Sequence, residues 1–292
     1  DSGDDTHQFT GSLFISGSGV SFNDGANNTF FGTDAGKSIT GVGSWNVHIG
    51  KQAGEAQTIA SSNVFIGGRT GIDVTQGENN VAIGRDAFYT ATTSGKNVLV
   101  GGWAGNAIAA AQTDTDGTVA IGYRAGATLT DGQYNTLVGY EVGDGITTGI
   151  DNTIMGYAAG GSGANNASYN TFFGSNAGIY AEKGSNVYIG FRAGGLNKNG
   201  AYNVMIGDHA GYTAQGNQYS GSNNVFIGYT SGYNTGGDKN TFVGIATGLY
   251  TTGSYNTFMG HAAGYGGTTS APWSSGQYNT ALGYEALKGF TT

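Results

Sequence analysis

A nine-residue block recurs along this chain at a spacing too short to hold a helix and too regular to leave the fold open. One copy reads Asn170-Thr171-Phe172-Phe173-Gly174-Ser175-Asn176-Ala177-Gly178, and another begins Asn28-Thr29-Phe30-Phe31-Gly32 and closes on Ala35-Gly36. Fifteen copies are anchored on Gly32, Gly50, Gly67, Gly84, Gly101, Gly122, Gly139, Gly156, Gly174, Gly190, Gly207, Gly228, Gly244, Gly260 and Gly283. The spacings between them are 18, 17, 17, 17, 21, 17, 17, 18, 16, 17, 21, 16, 16 and 23 residues. A short period sustained over a whole chain specifies a solenoid, in which each repeat is one coil that buries itself only against its neighbours.

The pattern within a copy predicts a strand. Four residues before the anchor glycine stands Asn in fourteen of fifteen copies, Thr118 being the exception. Three before is always Thr or Val, and one before is always Ile, Val, Phe, Met or Leu. These β-branched and apolar residues suit a short parallel strand, here read as five residues long. The column Phe31, Ile49, Ile66, Ile83 is expected inside the coil. The residue two before the glycine then points to the opposite face. That second column holds Phe30, Phe65, Leu99, Leu137, Ile154, Phe172, Met205, Phe226, Phe242 and Phe258, broken by His48. A narrow coil has one interior, so the second column is expected to be covered by other copies of the chain, in a homotrimer.

After the glycine the third residue is small, most often Ala, and the fourth is Gly except at Phe88 and Leu287, which marks close backbone approach. Gly-, Thr-, Ser- and Asn-rich connections complete each coil. At about 4.8 Å per coil the stack is a rod on the order of 70 Å long, with the Asn column forming a ladder of amides. The fold class expected is therefore all-β, a parallel β-solenoid of about fifteen coils. Residues 1–26 form a lead-in of capping strands, and residues 27–292 form the repeat domain.

Composition narrows the partners. A formal net charge of −8 with only 10% charged residues leaves no basic surface for nucleic acid. No run of 18 apolar residues offers a membrane span, so no membrane insertion is expected. The absence of Cys excludes disulfides and Cys-ligated zinc.

The string Asn203-Val204-Met205-Ile206-Gly207-Asp208-His209-Ala210-Gly211 resembles the head repeat of trimeric autotransporter adhesins (YadA-like heads). Copies such as Asn279-Thr280-Ala281-Leu282-Gly283-Tyr284-Glu285-Ala286-Leu287 look still more like the related repeats of phage and prophage tail-fibre proteins. The resemblance covers roughly residues 27–292 and implies a left-handed parallel β-roll that trimerises and serves attachment. The period of 16–18 residues is longer than that of adhesin heads.

Residues for chemistry are sparse. His7, His48, His209 and His261 fall in different copies or the lead-in, with no nucleophile–base grouping, so no catalytic residue and no cofactor is expected. His48 takes a core or interface position as a satisfied histidine. Asp114-Thr115-Asp116-Gly117 carries the start of a calcium loop without its later ligands, so no metal site is assigned. Aromatic residues are the remaining candidates for recognition. Tyr123, Tyr140 and Tyr157 each follow an anchor glycine and lie in register, while Tyr219, Tyr265 and Trp273 belong to long insertions, where solenoids carry function.

The function expected is a structural and adhesive segment of an extracellular trimeric fibre of the phage tail-fibre type, on a virion or cell surface, that attaches to a cell-surface glycan or protein receptor. A bacterial adhesin head is the alternative, and an ice- or crystal-surface binder is an alternative of another class. A fibre-borne depolymerase would need a carboxylate pair in a groove.

Overall fold

The computed structural model describes residues 27–39, 43–108, 116–161, 166–213, 221–267 and 274–292. Over these the chain is all-β, with fifteen strands from β1 (Thr29–Phe31) to β15 (Thr280–Leu282), one for each copy of the repeat. They form one parallel sheet in strict chain order. Pairing is in register, so that Thr29, Phe30 and Phe31 face Val47, His48 and Ile49, and these face Val64, Phe65 and Ile66. The lead-in, residues 1–26, lies outside the described residues.

Each strand is three residues long rather than five, because the Asn before it leaves the ladder to work as a side chain. Asn46 N donates to Asn28 Oδ1 at 2.9 Å, and Asn46 Nδ2 donates to the Ala60 carbonyl at 3.0 Å. Asn63 N donates to Asn46 Oδ1 and Asn80 N to Asn63 Oδ1 in the same way. The Asn residues are buried, and a buried amide is tolerable only when it is bonded on both ends. The ladder breaks at Thr118, whose backbone N still donates to Asn97 Oδ1 while its own Oγ1 has no partner.

The expected facing of the strand is inverted. Phe31 is 66% exposed and Ile49 36%, and the rest of that column is at best half-buried. The middle residues Phe65, Ala82, Leu99, Leu137, Phe172, Phe226, Phe242 and Phe258 are the core. The physical reason is room. A three-residue strand turns one side chain inward, and the interior is one side chain thick. Opposite that side chain stand the small residues three after the glycine, among them Ala53, Ala104 and Ala177, all fully buried. A Cβ added at Gly71 would come within 2.7 Å of the Phe65 ring. β-branched residues at the outer positions serve strand formation and leave the core to the middle column.

Rings in that column stack along the rod axis. Phe30, His48 and Phe65 lie 5.1 Å apart in sequence, and Phe226, Phe242 and Phe258 lie 5.0 and 4.9 Å apart. Where the middle residue shrinks to Ala82, the ring is supplied by Phe88, which occupies the place of the usual glycine and sits 6.3 Å from Phe65. A second inward column, seven after the glycine, adds Val74, Ile108, Leu129 and Ile146. The anchor glycine is required by backbone contact. A Cβ at Gly139 would stand 1.8 Å from the Gly156 carbonyl oxygen, and its φ of 136° is closed to other residues.

Candidate functional site

Outward residues form three kinds of surface: the sheet face, an aromatic ladder beside it, and a set of shallow depressions along the turns.

Tyr123, Tyr140 and Tyr157 are brought together as their spacing predicts. Their rings stack at 5.4 and 5.5 Å with interplanar angles of 22° and 9°. The Glu141 carboxylate beside Tyr140 pushes its phenol pKa up. Stacking of this kind covers the ring faces and presents edges and hydroxyls. Tyr265 meets Tyr250 at 5.9 Å in an edge-to-face contact and so joins a different surface. Tyr219 and Trp273 lie outside the described residues.

The surface that Tyr265 joins was not singled out from the sequence. Its core is Tyr212, Tyr233 and Tyr250, and the signal for it was present: Tyr212, Tyr233 and Tyr265 all stand five residues after an anchor glycine. His209 packs edge-on to Tyr212 at 5.0 Å, and Tyr233 edge-on to Tyr250 at 6.5 Å. A depression of about 340 Å³ is lined by His209, Tyr229, Thr230, Tyr233, Leu249 and Tyr250. A second, of about 160 Å³, is lined by Asn176, Ile179, Tyr180, Arg192, Leu196 and Tyr212. Arg192 lies over the rings of Phe191 and Tyr212, at 5.0 and 5.8 Å. Burial raises the phenol pKa of Tyr233 and of Tyr250, so both keep their protons.

A third depression, about 150 Å³, is lined by Arg69, Asp86, Tyr89, Trp103 and Asn106. Here the charges satisfy one another. Asp86 is nearly buried between Arg69 at 2.7 Å and Arg85 at 3.1 Å, although neither approach has the angle of a good hydrogen bond. Asp86 raises the Arg69 pKa through that contact, and Arg69 also lies 5.2 Å over Tyr89.

The histidines divide by position. His48 is buried between Phe30 and Phe65. It is not the satisfied histidine expected: neither ring nitrogen has a hydrogen-bond partner, and the adjacent Gln57 leaves its Oε1 unpaired. Burial pushes its pKa down to about 4, against a smaller opposing pull from Gln57, so the imidazole is neutral near pH 7. A contrasting coil places Tyr188 at the same position with Asn197 where Gln57 stands, and there Asn197 Nδ2 donates to Tyr188 Oη at 2.9 Å. Burial raises the Tyr188 pKa. His209 faces outward, its Nδ1 held by Asp208. Among the described residues no three His, Asp or Glu side chains gather in a way that could hold a metal ion. No helix among them is long and apolar enough to cross a membrane.

Fold and surface together define a parallel β-solenoid with an apolar sheet face and aromatic flanks. Comparisons with family models, with curated proteins and with solved structures gave no match.

Proposed function

We propose that the chain is a structural and adhesive rod segment of an extracellular trimeric fibre, of the phage tail-fibre type, which holds a receptor-binding surface away from the particle or cell that bears it. One observation carries the reading: on the outer face of the sheet the column before each glycine is apolar in all fifteen copies. The two columns of that face are the Thr or Val three before each glycine and the Ile, Val, Phe, Met or Leu one before it. Phe31, Phe173, Met259 and Leu282 are among its exposed members. Fifteen strands at about 4.8 Å make the stripe roughly 70 Å long. Soluble monomers rarely expose a patch of that extent.

Its natural cover is other copies of the same chain. A partner that touches every coil must repeat with the same axial period, and an identical rod does so without accumulating mismatch. Rotation about an axis along the rods gives every coil the same contacts and closes the assembly. The resemblance to adhesin heads and tail fibres favours three rods and a left-handed winding. Trp45, Tyr134, Tyr169, Tyr202, Tyr255 and Tyr278 flank the strands as an exposed aromatic rim, the residue type enriched at protein interfaces. All six hold positive φ, from 56° for Tyr134 and 58° for Tyr278 to 66° for Trp45, an unusual backbone for bulky residues. The ice-face alternative needs Thr in both outer columns, and the column before the glycine contains none.

Light scattering tests the assembly. Wild type should weigh as three chains at micromolar concentration. Ile121→Lys with Phe173→Lys, both outward positions, should give monomer or aggregate with an unchanged far-ultraviolet circular dichroism spectrum. A stable wild-type monomer at that concentration would reject the reading.

A further inference from the structure

We propose that the stacked tyrosines Tyr123, Tyr140 and Tyr157 are a site of oxidative coupling, at which hydrogen peroxide and a haem-type peroxidase join neighbouring rings into a dityrosine link between successive coils. The inference goes beyond the adhesive reading and holds whatever the rod attaches to. Each link would staple covalently two coils that otherwise hold together only by contacts with their neighbours.

Placement comes first. The Tyr123 and Tyr140 rings lie 5.4 Å apart at 22°, and those of Tyr140 and Tyr157 lie 5.5 Å apart at 9°. The backbone holds that register: the carbonyls of Tyr123, Tyr140 and Tyr157 accept from Glu141 N, Ala158 N and Asn176 N at 2.9, 2.9 and 2.8 Å. All three residues are about half exposed, and their stacking leaves ring edges, which carry the ortho carbons, to the solvent. Radicals formed on adjacent rings therefore meet at an effective concentration that no free pair reaches. Tyr134, Tyr169 and Tyr202 are more exposed but stand apart. In their column, five before the glycine, the adjoining residues are Gly117, Asp151, Ser185 and Asn223, none of them a ring.

The chemistry balances. Each phenol gives up one electron to the peroxidase and its hydroxyl proton to a base. The two phenoxyl radicals form one carbon–carbon bond between ortho positions. The ring hydrogens at those positions then move to the oxygens and restore both phenols. Two tyrosines thus lose two hydrogen atoms, which reduce one hydrogen peroxide to two waters.

Electrostatics favours this ladder over the other stacked pair. The Glu141 carboxylate beside Tyr140 raises its phenol pKa. Near neutral pH the proton therefore leaves only as the electron does, and Glu141 is placed to take it. Arg124 is engaged by Asp144 at 2.8 Å, and Glu141 makes no ion pair among the described residues. Tyr255 and Tyr278 stack as closely, 4.9 Å apart at 12°. There, however, Lys239 Nζ donates to Tyr255 Oη at 3.2 Å and sits 4.9 Å over its ring. A cation held on the ring face opposes removal of an electron and offers the phenol no base.

Hydrogen peroxide and a haem peroxidase, applied to the folded protein, test the site. Dityrosine fluorescence gives the rate, and peptide mass spectrometry of the single-chain band from a denaturing gel gives the map. Links should join Tyr140 to Tyr123 or Tyr157, each removing the mass of two hydrogens, with a yield that dilution of the protein does not lower. Tyr140→Phe keeps the stack and should abolish them, because Tyr123 and Tyr157 are then separated by a ring that cannot form a phenoxyl radical. Glu141→Gln should slow the coupling several-fold, and Tyr134→Phe should change nothing. Circular dichroism before oxidation shows that each variant is folded. Within-chain links as frequent at Tyr134, Tyr169 or Tyr202, coupling of Tyr255 with Tyr278 that matches the ladder, persistence in Tyr140→Phe, indifference to Glu141→Gln, or no coupling at all would each overturn the proposal.

Discussion

His48 carries an unmet polar demand into the stacked core, and removing it should stabilise the rod most where the solution is acidic. His48→Phe with Gln57→Val gives the second coil the pair that the third already has, Phe65 and Val74. The change removes two buried ring nitrogens and the Gln57 Oε1 that lack partners, and gives up one bond, Gln57 Nε2 to the Ala60 carbonyl at 2.6 Å. A buried unpaired polar group costs about 1–3 kcal/mol, so the net gain at neutral pH is about 2 kcal/mol. The pH dependence follows from the imidazole. In the unfolded chain it gains its proton near 6.5, in the folded coil only near 4. Between those values the unfolded state binds more protons, so stability is intact above about 6.5, falls as pH drops to 4, and is flat below. The full interval corresponds to about 3 kcal/mol. Solenoids open locally, so the measurement is amide hydrogen exchange over residues 43–71 at pH 7 and 4.5. Nearby Asp34 and Glu55, both paired with Lys37, are the same in either protein. The difference between wild type and variant therefore isolates His48. Equal pH dependence in the two would refute the reasoning.

Thr118→Asn should close the gap in the amide ladder. Its Nδ2 would reach the Gly132 carbonyl, fourteen residues on, as Asn63 reaches Gly77 and Asn135 reaches Gly149 at 2.8 Å. Thermal unfolding should shift upward by the equivalent of about 1–2 kcal/mol, and an unchanged or lower midpoint would count against the ladder. Ala82→Phe with Phe88→Gly restores the arrangement of the neighbouring coils and should be nearly neutral. Either change alone should cost about 1–5 kcal/mol, through overpacking or a cavity, and additivity in the double variant would refute the size exchange.

The period, the register and the amide ladder were legible because each repeats at a fixed offset from a glycine whose place is set by backbone contact. The facing of the strand was not. Residues one and two before the glycine are both apolar, and alternation says only that they face apart. Deciding between them needed the thickness of the interior, which is encoded away from the strand. Phe88 opposite Ala82 shows it, as do Gln57 with His48 and Asn197 with Tyr188. The aromatic surface around Tyr233 is hard to read for a related reason: Tyr212, Tyr233 and Tyr265 share one offset, but Tyr250 stands at another, and ring angles are not written in spacing.

The exchange of Ala82 and Phe88 bears on the outer face as well. Inside, size is exchanged within a coil: where the middle residue shrinks to Ala82, the Phe88 ring arrives from the turn, and the polar middle residues His48 and Tyr188 have the polar neighbours Gln57 and Asn197 in the second inward column. Such compensation is what a closely packed interior demands. The outer column before the glycine is under no such demand. Phe31, Val100 and Met155 differ in size and shape, while the third and fourth residues after the glycine stay Ala and Gly in all three coils. Yet the column never admits a charge or a hydroxyl in fifteen copies. Strand propensity alone would accept Thr or Tyr there as readily as Ile. A position that is free to vary in shape but held apolar is one that must be desolvated without being fitted inside its own coil. That is the requirement of a face buried against another rod, and it argues for assembly independently of how many rods take part.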